Sequence, residues 1–275
     1  MVEVKIDLKK SVSGNAQTYY EKAKKAKKKI PGLLKAMKET KAKLDDLKVE
    51  EAAPFEQVIQ KKRKKKWYEG YRWFTSSDGL LVVGGKDAST NETLMKKHVE
   101  GKDLVFHANI MGAPFFIVKN PEGNTIPEAT IEQAAQAAAS YSKAWGRGMG
   151  SADVYYIDPE QVSKTPPSGE YLPKGSFMIR GEKNWVKNVQ IRLAIGFIAG
   201  DDIEVVGGPV DAVSARTKYY SAYTTGDEKS KKLAEGIIRS VLRQTPAEMG
   251  RKIKKIGLDE LQRWIPTGKG RLIKG

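Results

Sequence analysis

Apolar and polar residues alternate over residues 2–8, with Val2, Val4, Ile6 and Leu8 on one side, so a short strand is predicted there. The period then changes. Ser13-Gly14-Asn15 supplies turn and N-cap chemistry, and from Tyr19 the positions Tyr19, Ala23, Ala26, Ile30, Leu33, Met37, Thr40, Leu44 and Leu47 step alternately by four and three. That spacing is the a/d seam of a coiled coil, with lysines on the other faces. Pro31-Gly32 falls inside the seam, and the loss of a backbone hydrogen bond there predicts a kink or a short break. A seam this long needs a covering helix, and none is evident before Pro54. It is therefore expected to pair between chains, or with an arm that this chain lacks.

Pro54 suits the first position of a second helix, in which Phe55, Val58 and Ile59 are apolar before Lys61, Lys62, Arg63, Lys64, Lys65 and Lys66. Six consecutive cations must radiate around a helix. A solvated helix end is one reading. The other comes from the next residues: Trp67, Tyr68, Tyr71, Trp73 and Phe74, with Arg72 among them, interleave flat and basic side chains as binders of unpaired nucleic acid do. The same rings would also anchor a helix to a sheet, a role that suits Trp73 and Phe74 better than Trp67 and Tyr68.

Beyond this point Ser76-Ser77-Asp78-Gly79 reads as a hairpin turn, followed by a strand over 80–83. Ser89 or Thr90 is placed to cap a helix running to Lys97, and strands are predicted over 104–110 and 115–118. An alanine-rich helix covers 131–145. Strands follow at 153–157, 176–180, 189–198 and 203–206, and helices at about 227–243 and 259–264. More strands than helices, without strict alternation, predict an α+β fold: a mixed-sheet domain preceded by a long coiled-coil arm. The expected divisions are residues 1–53 for strand and arm, 54–200 for the domain, and 201–275 for a strand-helix extension packed on it.

Charge sharpens this picture. Lys and Arg number 49 against 33 Asp and Glu, a formal +16 with pI near 9.6, and the first 66 residues hold 20 of the cations against 9 acids. Such an excess attracts polyanions. No cysteine is present, which excludes disulfide scaffolds, thiolate nucleophiles and zinc ribbons. Only His98 and His107 are available, so polyhistidine metal sites and HExxH are excluded. His98 is expected to be exposed, and His107, within a strand, is either a hydrogen-bonded structural histidine or a residue facing RNA or phosphate. Gly84-Gly85-Lys86-Asp87 is a weak anion-loop signal. Gly226-Asp227-Glu228-Lys229-Ser230 lacks the first glycine of a P-loop and carries two acids, and Asp201-Asp202 reads as a turn. No nucleophile, base and orienting group assemble, so no enzymatic role is expected. Without a long apolar run or a signal-peptide pattern, the chain is expected to be soluble and cytoplasmic.

Several blocks resemble one family. Lys66-Trp67-Tyr68-Glu69, Arg72-Trp73-Phe74, Ser77-Asp78-Gly79, Gly84-Gly85-Lys86-Asp87-Ala88 and Asn91-Glu92 run as at the start of the NFACT-R domain. His107-Ala108-Asn109, Gly112-Ala113, residues 141–145, 162–164 and 169–181 continue the match in order. Asp7, Asn15-Ala16 and Tyr19-Tyr20 resemble the outgoing arm of the family's middle coiled coil, and Gly207-Gly208-Pro209 with Asp211-Ala212-Val213 resemble the archaeal C-terminal extension. The resemblance implies the C-terminal half of an NFACT protein, as a fragment or a split gene, without the N-terminal domain, the helix-hairpin-helix segment and the incoming arm. It implies an RNA-binding module of ribosome-associated quality control. Its partners would be tRNA and stalled large ribosomal subunits, with no cofactor and no membrane.

Two contact surfaces are expected on this basis. One runs from Lys61 to Tyr68 with Arg72; the other comprises Arg180, Lys183, Asn184 and Trp185, which repeat the cation-plus-aromatic combination, and His107 is a further candidate. The rival readings are a protein-docking or dimerisation platform without RNA contact, and a metal-dependent nuclease acting through Asp or Glu.

Overall fold

The computed structural model describes residues 6–7, 11–50, 66–165 and 172–273. The chain divides into two compact units, 1–64 and 65–275. In the first, α1 (Val12–Glu50) is a single helix of 39 residues. Its cap lies upstream of the expected one: Ser11 Oγ accepts the Gly14 N–H at 3.1 Å, and Ser13-Gly14-Asn15 form the first turn. Asn15 ties the preceding chain to that turn, accepting the Asp7 N–H at 2.8 Å and donating to the Asp7 carbonyl at 2.9 Å. No break occurs at Pro31-Gly32, where the helix is continuous. A proline removes one ladder bond, and in a helix this long the turns on either side carry the backbone across it. Tyr19, Ile30, Leu33 and Met37 of the seam are 39% to 68% exposed. Most of the strand expected over residues 2–8, the helix from Pro54, and Lys61, Lys62, Arg63, Lys64 and Lys65 lie outside the described residues.

The second unit opens with β1 (Arg72–Thr75), β2 (Leu81–Gly84), α2 (Ala88–Lys97), β3 (Leu104–Ala108), β4 (Phe115–Val118), α3 (Glu128–Ser140), α4 (Lys143–Gly146) and β5 (Ser151–Ile157). A two-stranded ribbon follows, β6 (Val162–Ser163) with β7 (Met178–Ile179), and then β8 (Asn184–Gln190). Strands β1-β2-β4-β3-β5-β8, in that order, form one antiparallel sheet. Both of its faces are covered, which is why β4 reads as an uninterrupted apolar run. Phe116 and Val118 join Val82, Phe106 and the α3 alanines on one face. Phe115 and Ile117 join Val83, Val105 and Leu94 of α2 on the other.

Ten of the thirteen residues of α3 are buried, and its small alanines let the helix lie close to the strands. The loop between β1 and β2 is pinned to it: Gln133 Oε1 accepts the Ser77 N–H at 2.9 Å, and the Thr130 hydroxyl donates to Asp78 at 2.6 Å. The cap of α2 is Asp87 rather than Ser89 or Thr90. Its carboxylate accepts the Thr90 N–H at 2.8 Å, and Thr90 Oγ1 accepts the Asp87 N–H at 2.9 Å, a reciprocal box built on Thr instead of Glu.

β9 (Arg192–Ile198), β10 (Glu204–Gly208), α5 (Val210–Ser214), β11 (Tyr220–Lys229), α6 (Ser230–Leu242), α7 (Ala247–Ile253), α8 (Leu258–Gln262) and β12 (Lys269–Leu272) complete the chain. They contribute a second sheet in the order β10-β9-β11-β12, packed under α6. The strand expected over 189–198 is two strands in two sheets. Asn188 adopts a left-handed backbone (φ 54°), its N–H donates to Asp153 at 2.9 Å, and β8 bulges here, with Lys187 and Asn188 set against Asp153 alone. The bulge adds local bend and twist to β8, and the change of sheet comes after it, at Ile191, whose N–H still donates to the Gly150 carbonyl at 2.9 Å. The loop over 199–203, where a domain boundary is expected from sequence, joins β9 to β10 within one sheet. Leu193, Ile195, Phe197 and Tyr223 enter the same core as Phe106 and Phe116. Among the described residues no helix is long and apolar enough to cross a membrane.

Candidate nucleic-acid interface

Trp67 opens a short 3-10 turn, Trp67–Gly70, ahead of β1. Its indole stacks on His98 with centroids 4.1 Å apart and an interplanar angle of 11°, with Tyr68 and Tyr71 meeting it edge-on at 5.7 and 6.0 Å. His98, expected to be solvated, is the C-cap of α2 and lies beneath this ring. Burial, and then the charges of Lys119 and Lys97, hold its pKa below the ordinary value, so it presents a neutral imidazole to the stack. Trp67 remains 42% exposed. Beside it lies a cleft of about 650 Å³ lined by Asp78, Leu80, Asn120, Pro121 and Asn124. Lys66 places its ammonium 5.8 Å from the Tyr68 ring. The other rings of the run turn inward: Phe74 is 5% exposed, and Trp73 packs on Tyr68 at 4.9 Å.

A second cluster forms on β8, at the edge of the first sheet. Trp185 is 41% exposed and sits opposite Tyr155 of β5, ring edge to face at 5.4 Å. Lys187 lies over the indole at 4.0 Å, and Lys183 reaches both Tyr155 (4.4 Å) and Trp185 (5.9 Å). Cations in this position hold a ring in place and attract phosphate at the same time. Asn184, beside them, pairs with Tyr156 and is exposed. The sequence reading does not single out Lys187; it follows Trp185 by two, the period that keeps strand residues on one face.

His107 stands behind this cluster with both ring nitrogens taken. Nε2 meets the Ala113 carbonyl at 3.1 Å, and Nδ1 meets the Tyr155 hydroxyl at 3.3 Å. A neutral ring that donates from Nε2 and accepts at Nδ1 satisfies both, which matches the structural reading of this residue. Burial pushes its pKa down to about 4 from 6.5. The unfolded chain then binds a proton that the native state refuses as pH falls below 6.5. This contribution to stability is fully present above pH 6.5 and is lost toward pH 4, at up to about 1.4 kcal/mol per pH unit. Denaturant midpoints measured between pH 7.5 and 4.5 are expected to fall less steeply in His107→Gln than in the native chain. Parallel curves would show that His107 does not carry the effect.

Arg72 and Arg180 are not drawn into these clusters. Alternation along β1 turns Arg72 away from Trp73, and its guanidinium lies 4.4 Å from the centroid of the Tyr141 ring. Arg180 is held through its backbone, its carbonyl accepting from Gln161 Nε2 at 2.9 Å. Several residues of the quoted blocks act in packing. Asn91 is buried and accepts the Phe115 N–H at 3.2 Å, leaving no room for a Cβ at Gly85. Glu92 takes Lys164 and Lys96 at 2.7 Å each and the Gly175 N–H at 2.8 Å, which lowers its pKa to about 2 and anchors the segment before β7 to α2.

The NFACT protein RNA binding domain matches residues 70–181, and the NFACT N-terminal and middle domains match residues 1–63. The archaeal Rqc2 homolog aRqcH of Methanocaldococcus jannaschii is 44% identical over 149 residues, 54% of this chain and 22% of that protein. The ribosome quality control complex subunit NEMF homolog of Drosophila melanogaster is 38% identical over 199 residues, 71% of this chain and 20% of its own length. Subunit NEMF of Homo sapiens is 38% identical over 188 residues, 67% and 17% respectively. The chain thus spans about a fifth of the length of the curated relatives it matches. With the match to the NFACT N-terminal and middle domains taking in α1 and the RNA binding domain falling on β1 to β7, the chain belongs to the NFACT family.

Proposed function

We propose that this chain is a non-enzymatic RNA-binding module of a ribosome-associated quality-control factor. It works in the cytoplasm and contacts tRNA and the large ribosomal subunit. The relatives named for ribosome quality control and the RNA binding domain over 70–181 support this reading. The observation that carries it is Trp185, a large apolar ring 41% exposed at a sheet edge with two lysine ammonium groups within 6 Å. A solvated edge gains nothing from an indole there, whereas an unpaired base stacks on it and the lysines meet its phosphate. Trp67 with Lys66 is a second proposed contact, and Lys61, Lys62, Arg63, Lys64 and Lys65, which lie outside the described residues, are proposed from their charge alone. Lys183, Asn184, Tyr68 and the exposed Arg180 complete the proposed residues, whereas His107 and Arg72, singled out from sequence, are engaged within the fold rather than at the tryptophan surfaces. The exposed seam of α1 would pair with the remainder of the factor or with a second copy.

Fluorescence anisotropy against tRNA over a salt series tests the reading. Each phosphate neutralised is expected to contribute roughly −0.7 to −0.9 to the slope of log affinity against log salt. Replacing Lys61, Lys62, Lys64 and Lys65 by Ser flattens that slope if the run meets RNA, and leaves it unchanged if the run is merely solvated. Absence of binding, or binding indifferent to salt, overturns the proposal. A concentration-dependent dimer with no RNA affinity would favour the docking platform.

A further inference from the structure

Away from both tryptophan clusters, cations and buried N–H donors gather where β1 and β2 meet the C-terminal part of the chain. Arg72 pairs in register with Gly84, so Lys86, two residues beyond, lies beside it past the end of β2. The Arg72 guanidinium lies 4.4 Å from the centre of the Tyr141 ring, and its Nε is buried without a hydrogen-bond partner. Trp264 approaches from the other side, its ring 6.4 Å from that of Trp73. It is only 7% exposed, its carbonyl is taken by the hydroxyls of Tyr141 (3.0 Å) and Tyr223 (2.9 Å), and its indole Nε1 is likewise buried and unpartnered. Arg263 lies over the same indole at 5.4 Å. Buried donors without acceptors are rare in native proteins, and these two are the ones found among the described residues.

The charges point the same way. The Lys86 ammonium is held below its ordinary pKa first by desolvation and then by Arg72 and Arg263, and the one carboxylate in its field is Asp87. That carboxylate is engaged as the cap of α2. None of the three cations makes an ion pair among the described residues. The two amides just before α2 are also spent, because Lys86 and Asp87 both donate to Thr90 Oγ1. Lys86 and Arg263 are exposed at the surface while Arg72 and Trp264 reach into the interior. Two exposed cations thus lie near two buried donor atoms that lack acceptors.

We propose that Arg72, Lys86 and Arg263, with the indole N–H of Trp264, form a binding site for a phosphate group. A tetrahedral oxyanion supplies several acceptors and more than one negative charge, which three cations and two orphan donors require together; guanidinium groups match its geometry. The site goes beyond the RNA reading and does not depend on it, since an inorganic phosphate ion and a nucleic-acid phosphodiester share this chemistry.

Titration of the full chain with inorganic phosphate at constant ionic strength, followed by proton–nitrogen NMR, tests it. The Trp264 indole N–H or the Arg72 Nε–H is expected to shift. The Trp145 indole, which donates to the Lys269 carbonyl at 2.7 Å, serves as the internal control and stays in place. Lys86→Gln and Arg263→Gln, both at exposed positions, are each expected to weaken the response by about tenfold. A short RNA with a 5′ hydroxyl that moves the same resonances identifies a phosphodiester as occupant, and a response to inorganic phosphate alone identifies the free ion. Resonances that stay fixed with both ligands, or variants that respond like the native chain, overturn the site. RNA anisotropy measured on the same variants keeps this outcome separate from failure of the tryptophan surfaces.

Discussion

Replacing the two exposed indoles together, Trp67→Ala with Trp185→Ala, is expected to weaken RNA binding by about thirtyfold or more at fixed salt. Stacking of an unpaired base on an aromatic ring contributes about 1–3 kcal/mol, and removing two such stacks costs about 2–6 kcal/mol. The salt slope is expected to change little, because neither indole neutralises a phosphate. That combination separates stacking from charge. Trp185 is 41% exposed at the sheet edge, with Lys187 and Tyr155 beside it, so its removal opens no cavity in the core. The double variant should therefore keep a cooperative thermal transition. An unchanged affinity in anisotropy would remove both rings from the interface and, with them, the stacking half of the proposal.

The largest effect on stability is expected at Phe106. This ring is fully buried, flanked in register by Phe116 of β4 and Tyr156 of β5, and stacked on Tyr156 at 5.3 Å. It lies in the core that α3, the first sheet and the second sheet share. Phe106→Ala deletes the ring and leaves a cavity that helix and strands cannot close, at about 3–5 kcal/mol. Domains are typically stable by about 5–15 kcal/mol, so much of the folded population is at stake. Urea unfolding should show a lowered midpoint with both sheets melting in one transition. A variant in which residues 192–272 unfold separately from residues 72–190 would show that the shared core is not what couples them.

Much of this is legible along the chain because it depends on neighbours in sequence. The 3.5-residue step from Tyr19 specifies a long helix, and the alternation and turns around Ser77-Asp78-Gly79 specify a hairpin. The concentration of lysine before Trp67 is visible without coordinates. So is the inward role of Trp73 and Phe74, as the aromatic run meets a strand. The break expected at Pro31 does not form, because the local cost of a proline is set against the length of helix around it. The strand over 189–198 reads as one element because apolar alternation continues through Ile191, the residue at which the chain passes from the first sheet to the second.

Residue types, spacing and charge by themselves determined the α+β class, the helical arm, the family resemblance and which rings were candidates for stacking. These rest on short-range periodicity and composition, which the linear chain records. Tertiary structure alone decided that Trp67 lies on His98, that Lys187 joins Trp185, and that Arg72 leaves the aromatic run to lie over Tyr141, whose hydroxyl meets the Trp264 carbonyl 123 residues further along the chain. Those juxtapositions follow from strand register and from the packing of one sheet against another. Both are settled by closing a common core, and no local pattern encodes them.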